Sequence, residues 1–264
     1  MSRPELIAPP EVFYDADESS KYTQNTRVQQ IQAEMTLRSL ELLNLPPSQL
    51  ILDIGCGSGL SGEILTDEGG HQWIGMDISA PMLGNALDRE VEGDLFLADM
   101  GAGVPFRAGT FDAAISISAI QWLCNADHAD ANPKKRLQRF FETLYASLKR
   151  GGKAICQFYP SNQEQTDQIS HAAKVAGFGG GLIIDHPESK RHRKYYLVLT
   201  AGEGGDDLNL QGVQMDAEKR SKKKRKQDET KRDFIRRKKD TMRKRGKVVA
   251  LDSKFTGRRR KPKF

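Results

Sequence analysis

The stretch that most constrains this chain is Ile51-Leu52-Asp53-Ile54-Gly55-Cys56-Gly57-Ser58-Gly59. It reads as a short apolar strand running directly into a loop with glycine at alternate positions. There the backbone can approach a ligand with no Cβ in the way. Leu60 to Leu65 reads as the opening turns of a helix. Strand, tight glycine loop and helix N-terminus together make the nucleotide cradle of doubly wound α/β folds.

Two ligands compete for this cradle. Gly57-Ser58-Gly59-Leu60-Ser61-Gly62 satisfies G-x-G-x-x-G, with Asp77 as the ribose-binding acid, which points to a nicotinamide dinucleotide. The alternative frame is D-x-G-x-G-x-G, with Asp53 two residues before Gly55. A dinucleotide would bring a pyrophosphate to the loop, and a carboxylate beside it would be repulsive. S-adenosylmethionine has no phosphate and carries an ammonium and a sulfonium. The charge argument favours S-adenosylmethionine. Asp53 also has a purely structural use, tying down the loop backbone, and the two roles are compatible.

Charge is divided sharply along the chain. Of 41 Lys/Arg and 35 Asp/Glu, 23 and 5 fall from Lys219 onward, leaving 18 and 30 before it. An acidic globular part followed by a basic tail suggests a nucleic-acid contact. The three cysteines, Cys56, Cys124 and Cys156, lack C-x-x-C spacing, so neither a disulfide framework nor a metal site is expected. Cys56 reads as a small residue whose backbone matters, since no histidine-bearing triad supports a catalytic thiol. No apolar run has transmembrane length and no secretory h-region is evident, so a soluble intracellular protein with no membrane partner is expected.

The rest of the chain reads as a βα alternation. Residues 1–50 are expected to form an N-terminal arm and helices packed on the core, 51–202 the core, and 203–264 the tail. Arg3 to Glu18, with prolines at 4, 9 and 10, is expected to lie extended over the domain, with Ser19 or Ser20 capping one or two helices over Lys21–Leu43. Strands are predicted at 72–77, 94–99, 111–117, 153–158, 178–185 and 195–200, and helices at 81–89, 133–148 and 162–176. Lys149 and Arg150 are expected to face the C-terminal dipole of the second of these helices, with Gly151-Gly152 ending it. The implied fold class is α/β, a Rossmann-like seven-stranded mostly parallel sheet ending in an antiparallel pair, with extra N-terminal helices. There is no second nucleotide-binding half, which again disfavours a dehydrogenase.

Asp77 ends the second strand, where a carboxylate can accept both ribose hydroxyls. Ile78 follows it against the cofactor. Asp99 ends the third predicted strand, where it can accept from an adenine amino group, with Met100 as an apolar wall. Each acid alone also fits a turn-forming role. Three acids at successive strand ends around one glycine loop are a stronger signal.

With Asp53-x-Gly55-x-Gly57-x-Gly59, Asp77 and Asp99, the chain resembles class I S-adenosylmethionine-dependent methyltransferases. Arg3-Pro4-Glu5, Ala8-Pro9-Pro10-Glu11, Phe13-Tyr14-Asp15, Lys21-Tyr22-Thr23, Ser118-Ala119-Ile120-Gln121-Trp122-Leu123-Cys124 and the closing Lys254–Phe264 segment resemble one family within them, the eukaryotic 18S rRNA guanine-N7 methyltransferases. The likeness spans essentially the whole chain, with a departure near Phe234, where the family's pattern suggests tryptophan. It implies methyl transfer to N7 of one guanosine in 18S rRNA during small-subunit assembly. It also implies a heterodimer with a small zinc-binding activator subunit. In the usual strand order the strand at 94–99 is an edge. Leu95-Phe96-Leu97 would then be an apolar edge for the activator's own strand, unless a loop of this chain covers it.

Guanine N7 has a lone pair and no proton to remove at neutral pH, so no acid/base residue is assigned. Alignment of N7, methyl carbon and sulfur should suffice. Gln121 and Trp122 are candidates to bind the base, Trp122 by stacking or else as a core aromatic. Ser118 and Tyr22 are placed at the cofactor, Tyr22 with Lys21 as a lid or else on a helix surface. Lys222–Lys226 is a nuclear-localisation-type cluster, and the tail beyond a hinge at Gly202–Gly205 is expected to be disordered until it meets RNA. Nucleus and nucleolus, with some cytoplasm, are the expected compartments. A methyltransferase of another RNA, or an assembly factor needed mainly for its presence, remain alternatives.

Overall fold

The computed structural model describes residues 3–126, 131–189 and 192–202, with isolated positions 236, 239, 243, 249 and 251 beyond. The chain separates into two compact units, Met1–Leu210 and Gln211–Phe264. The expectations for the tail, including the Lys222–Lys226 cluster and Phe234, lie outside the described residues.

In the first unit, helices α1 (Pro10–Phe13), α2 (Ala16–Gln24) and α3 (Thr26–Leu43) precede strand β1 (Leu50–Ile54). Then come α4 (Leu60–Gly69), β2 (Gln72–Asp77), α5 (Ala80–Asp88), β3 (Asp94–Leu97) and β4 (Phe111–Ile117). The unit continues with α6 (Pro133–Ser147), β5 (Leu148–Phe158), α7 (Gln163–Val175), β6 (Phe178–Asp185) and β7 (Lys194–Ala201). The strands form one seven-stranded sheet in the order β3-β2-β1-β4-β5-β7-β6. Only β7 runs against the others, antiparallel to both β5 and β6. Central β1 and β4 are covered on both faces, so their runs are near-continuously apolar rather than alternating. Leu52, Phe111, Phe140, Phe141, Phe158 and Ile169 fill the core between the sheet and helices α6 and α7.

The N-terminal arm is more structured than its prolines suggested. Pro4–Leu6 is a 3-10 turn, α1 follows, and α2 starts at Ala16 instead of near Lys21. Asp15, not Ser19 or Ser20, caps α2 by accepting from the Glu18 amide at 2.8 Å. Ser19 lies buried inside the helix, its hydroxyl donating to the Tyr14 carbonyl at 3.1 Å. The Lys21–Leu43 segment breaks at Asn25. Its side chain accepts from the Arg27 and Val28 amides at 3.1 and 3.2 Å, so capping α3 wins over continuing α2.

Lys149 and Arg150 belong to β5 and not, as expected, to the C-terminal end of α6. Leu148 pairs with Phe111 across the sheet, and Lys149 Nζ donates to Asp112 at 2.5 Å. Those cross-strand contacts end the helix before the glycines do. The third strand is also shorter than predicted, because Ala98 and Asp99 leave it to start the 3-10 turn Met100–Ala102.

Between α4 and β2 the indole of Trp73 is buried, its Nε1 donating to Thr66 Oγ1 at 3.1 Å. A Cβ at Gly62 would stand 2.1 Å from that ring. Gly62→Ala should therefore overpack the α4–β2 contact and cost about 1–3 kcal/mol. The urea midpoint of the purified protein measures this, and an unchanged midpoint would show that α4 can move away freely.

Candidate functional site

Parallel strands β1, β2, β4 and β5 end at one edge of the sheet, and the predicted site residues gather there. Gly55, Gly57 and Gly59 all have positive φ, at 73°, 53° and 78°, which side-chain-bearing residues rarely adopt. Space is also limiting: a Cβ on Gly55 would meet that of Ala119 at 2.4 Å, and one on Gly59 would meet Val91 at 2.8 Å. The loop is pinned from β2, with the Gly55 and Cys56 amides donating to the Met76 carbonyl at 2.8 and 3.2 Å.

Asp53 is fully buried at the end of β1. Its Oδ2 accepts from Ser61 Oγ at 2.5 Å, whereas its Oδ1 is buried with no hydrogen-bond partner. Burial, only partly offset by the Ser61 bond and reinforced by the charge of Asp77, pushes its pKa up to about 7. Cys56 is buried as well, and its thiol is pushed well above the ordinary range, by burial first and then by Asp53 and Asp77. A thiol so strongly held in its neutral form is a poor nucleophile, in keeping with a packing role.

Asp77 connects the loop to the next helix. Its Oδ2 accepts from the Gly57 amide and its Oδ1 from the Ser79 amide, both at 2.8 Å. Burial raises its pKa against the pull of the Ser79, Gly57 and Ile78 amides. A carboxylate offers roughly four acceptor positions, so two hydroxyls can still be received. Ser79 caps α5 through the Met82 amide, and its hydroxyl donates to the Tyr14 carbonyl at 2.9 Å. Through that bond the N-terminal arm is tied over the cradle. Tyr14 packs edge-on to Tyr22, with ring centroids 5.8 Å apart, and lies 5.9 Å from Trp122.

These residues fit S-adenosylmethionine. A buried carboxylate oxygen lacking a donor suits an ammonium, the glycine loop leaves room for the chain of the ligand, and acidic acceptors stand at the ends of β2 and just past β3. Among the described residues no group of three His, Cys, Asp or Glu side chains could hold a metal ion. No helix among them is long and apolar enough to cross a membrane.

Comparison with known proteins agrees with this geometry. Residues 52–156 match the model of a methyltransferase domain, and residues 198–262 match a family described as "Methyltransferase involved in Williams-Beuren syndrome". The chain is 62% identical to the Saccharomyces cerevisiae protein named 18S rRNA (guanine(1575)-N(7))-methyltransferase, with 100% of both chains covered. The mouse 18S rRNA (guanine-N(7))-methyltransferase is 48% identical over 99% of this chain and 98% of its own. This chain belongs to the 18S rRNA (guanine-N7)-methyltransferase family. Among solved structures, a Haemonchus contortus phosphoethanolamine N-methyltransferase in complex with S-adenosylhomocysteine superposes with a TM-score of 0.54 at 17% identity. It covers 72% of this chain and 58% of its own, and shows the shared class I methyltransferase fold.

Within this family fold, other candidates are placed less simply. Asp99 caps the turn after β3, accepting from the Gly101 amide at 2.7 Å, and is held by both Arg136 Nη atoms at 3.1 Å. Met100 opens that turn. Ser118 follows β4 with φ +58°, and its hydroxyl donates to Gln157 Oε1 at 2.8 Å. Gln121 is buried, its Nε2 donating to the Ser118 carbonyl at 2.7 Å and its Oε1 unpartnered. Trp122 is buried against Phe13 and Tyr14, so its neighbours are the arm's own aromatics. Tyr22 is half-buried, its hydroxyl accepting from Gln32 Nε2 at 2.7 Å, while Lys21 is exposed and reaches only Glu18.

Sequence reasoning missed Ser61, Ser79, Tyr14, Arg136 and Gln157. Ser79 carries a legible signal, a serine directly before a helix with proline at its second position. Ser61 and Gln157 become partners only when strands and helices are brought together. Because Asp53 has a raised folded pKa, its contribution is fully present below the unfolded value and disappears as pH rises through about 7. The Asp53→Asn variant should accordingly gain on the wild type between about pH 4 and pH 7. Denaturant titrations across pH measure that difference; a constant difference would place the carboxyl in a far wetter setting.

Proposed function

We propose that this protein transfers a methyl group to N7 of a guanosine in 18S rRNA and acts in small-subunit biogenesis. The observation that carries this reading is the end-to-end similarity to an enzyme of that name at 62% identity, on a chain whose cradle acids are all present. The methyl donor is S-adenosylmethionine, which supplies an electrophilic sulfonium methyl.

The chain's own residues hold and align the reactants. Asp53 Oδ1 receives the donor's ammonium, Asp77 its ribose hydroxyls, and Asp99, steadied by Arg136, its adenine amino group. Ile78 and Met100 pack on the adenine. Tyr14, Tyr22 and Trp122 exclude water from the carboxyl edge. No proton leaves N7, so the protein needs no base and acts by orientation. N7 lies in the groove of A-form RNA that side chains do not enter, so the target base is presented out of its helix. Methyl transfer from labelled donor to small-subunit rRNA, mapped by cleavage at N7-methylguanosine, tests the reading. One labelled guanosine is expected, and label on tRNA instead of 18S rRNA would overturn it.

An activator subunit is part of the proposal, and β3 supports it. This strand is one edge of the sheet, opposite β6, and Phe96 and Leu97 are 44% and 63% exposed on it. Phe96 touches Phe106 but is left uncovered by any described loop. A partner strand would satisfy the open backbone groups and bury both side chains. Nuclear and nucleolar residence, with passage to the cytoplasm, accords with such work. The Phe96→Asp variant should lose co-purification with the activator while keeping its helical circular dichroism. Undiminished co-purification would move the interface elsewhere.

A further inference from the structure

The residues before Lys219 are acidic overall, with 18 Lys/Arg against 30 Asp/Glu, yet positions 190–194 read Lys-Arg-His-Arg-Lys. Lys194 of this run opens β7, and Arg193 directly precedes it. Because β7 is antiparallel, its first residues stand at the carboxyl edge of the sheet, with Tyr195 paired to Phe158 at the end of β5. Neither Arg193 nor Lys194 has a carboxylate partner among the described ion pairs.

Beside them lies a cavity of about 510 Å³, lined by Arg3, Arg193, Tyr159, Tyr195, Ser161 and the first turn of α7. The two arginines are oriented chiefly by neutral groups. Arg193 donates to the Pro187 carbonyl and, at 3.5 Å, to the Tyr195 hydroxyl, and its Nε is buried with no acceptor. Arg3 reaches the Pro160 carbonyl at 2.8 Å and Ser161 Oγ at 2.6 Å, with Glu5 at 3.4 Å as its one acidic neighbour. The arm holds Arg3 there through Asn125, whose amide donates to the Glu5 carbonyl at 2.7 Å. The α7 N-terminus adds some partial positive charge, although Asn162 already caps the Gln165 amide and Glu164 lies in the same turn. Two guanidinium groups and the start of α7 thus line a single cavity walled by two tyrosines, with the Lys194 ammonium 4.6 Å over the Tyr159 ring.

We infer that this cavity seats a phosphodiester of the rRNA strand carrying the target guanosine, an inference that rests on the reading above. Guanidinium groups match phosphate oxygens in bidentate fashion, and the Lys194 ammonium beside them adds a further positive charge. The cavity opens at the edge where the glycine cradle also lies. A phosphate fixed there sets the register of the strand, so the residues would position the substrate without taking part in the transfer.

The test uses the full-length chain and a single-stranded RNA of the target region, titrated over a range of salt. Arg193→Ala should weaken RNA binding about tenfold and flatten the slope of log affinity against log salt by about 0.7, the share of one single-strand phosphate. Arg3→Ala, which leaves the β6–β7 hairpin intact, should act in the same direction. Arg193→Lys should keep the slope and lose part of the affinity. S-adenosylmethionine affinity, measured by calorimetry, should be unchanged in all three. Wild-type RNA affinity and slope in both alanine variants would overturn the inference. So would displacement of the RNA by inorganic phosphate at equal charge concentration, which would assign the cavity to a free anion. Wild-type methyl transfer is scored separately: its absence sinks the proposed function, whereas transfer with unaltered variants sinks only the phosphate site.

Discussion

The Asp77 carboxylate holds the site together. It receives amides from the glycine loop after β1 and from the start of α5, adding to the bonds that the Met76 carbonyl makes with the same loop. Ser79 extends the connection to the Tyr14 carbonyl, and Tyr14 in turn packs on Tyr22 and Trp122. One buried acid therefore sets the loop, the helix start and the arm together. Such a group accepts these bonds best as a carboxylate, yet burial resists that charge. The amides supply the compensation that water would otherwise give.

Asp53 solves the same problem differently. It has one hydroxyl partner and a bare oxygen, so in the protein alone its charge is poorly compensated. The raised pKa, from 3.8 to about 7, corresponds to on the order of 4 kcal/mol between its protonation states. A cationic ligand group removes that penalty, which links occupancy of the cradle to the ionisation of its deepest residue. Two neighbouring acids thus differ in kind, one satisfied by backbone amides and one left with an open oxygen suited to a cation.

Much of this was legible in the residue order. The sheet, its antiparallel last strand and the three acids followed from local pattern, because buried parallel strands are continuous apolar runs and glycine loops are rare. The local competitions were harder to read. Asn25 divides a helix that periodicity alone would continue, and Asp15 outcompetes two serines as a cap. Lys149 leaves a helix dipole for Asp112, a partner 37 residues away. The Asp99–Arg136 fork has the same 37-residue separation and no local signature. Partnerships across the sheet are set by topology, and spacing along the chain does not announce them.

The reversal of β7 has a consequence for how this scaffold can diverge. Since β6 ends and β7 begins at the same edge as the cradle, the connection over residues 186–193 can change length or charge without disturbing any strand that leads into the cradle. Loop closure is only weakly sensitive to length. A family with this arrangement can reshape that rim by editing a single hairpin, while the cradle stays inherited and intact.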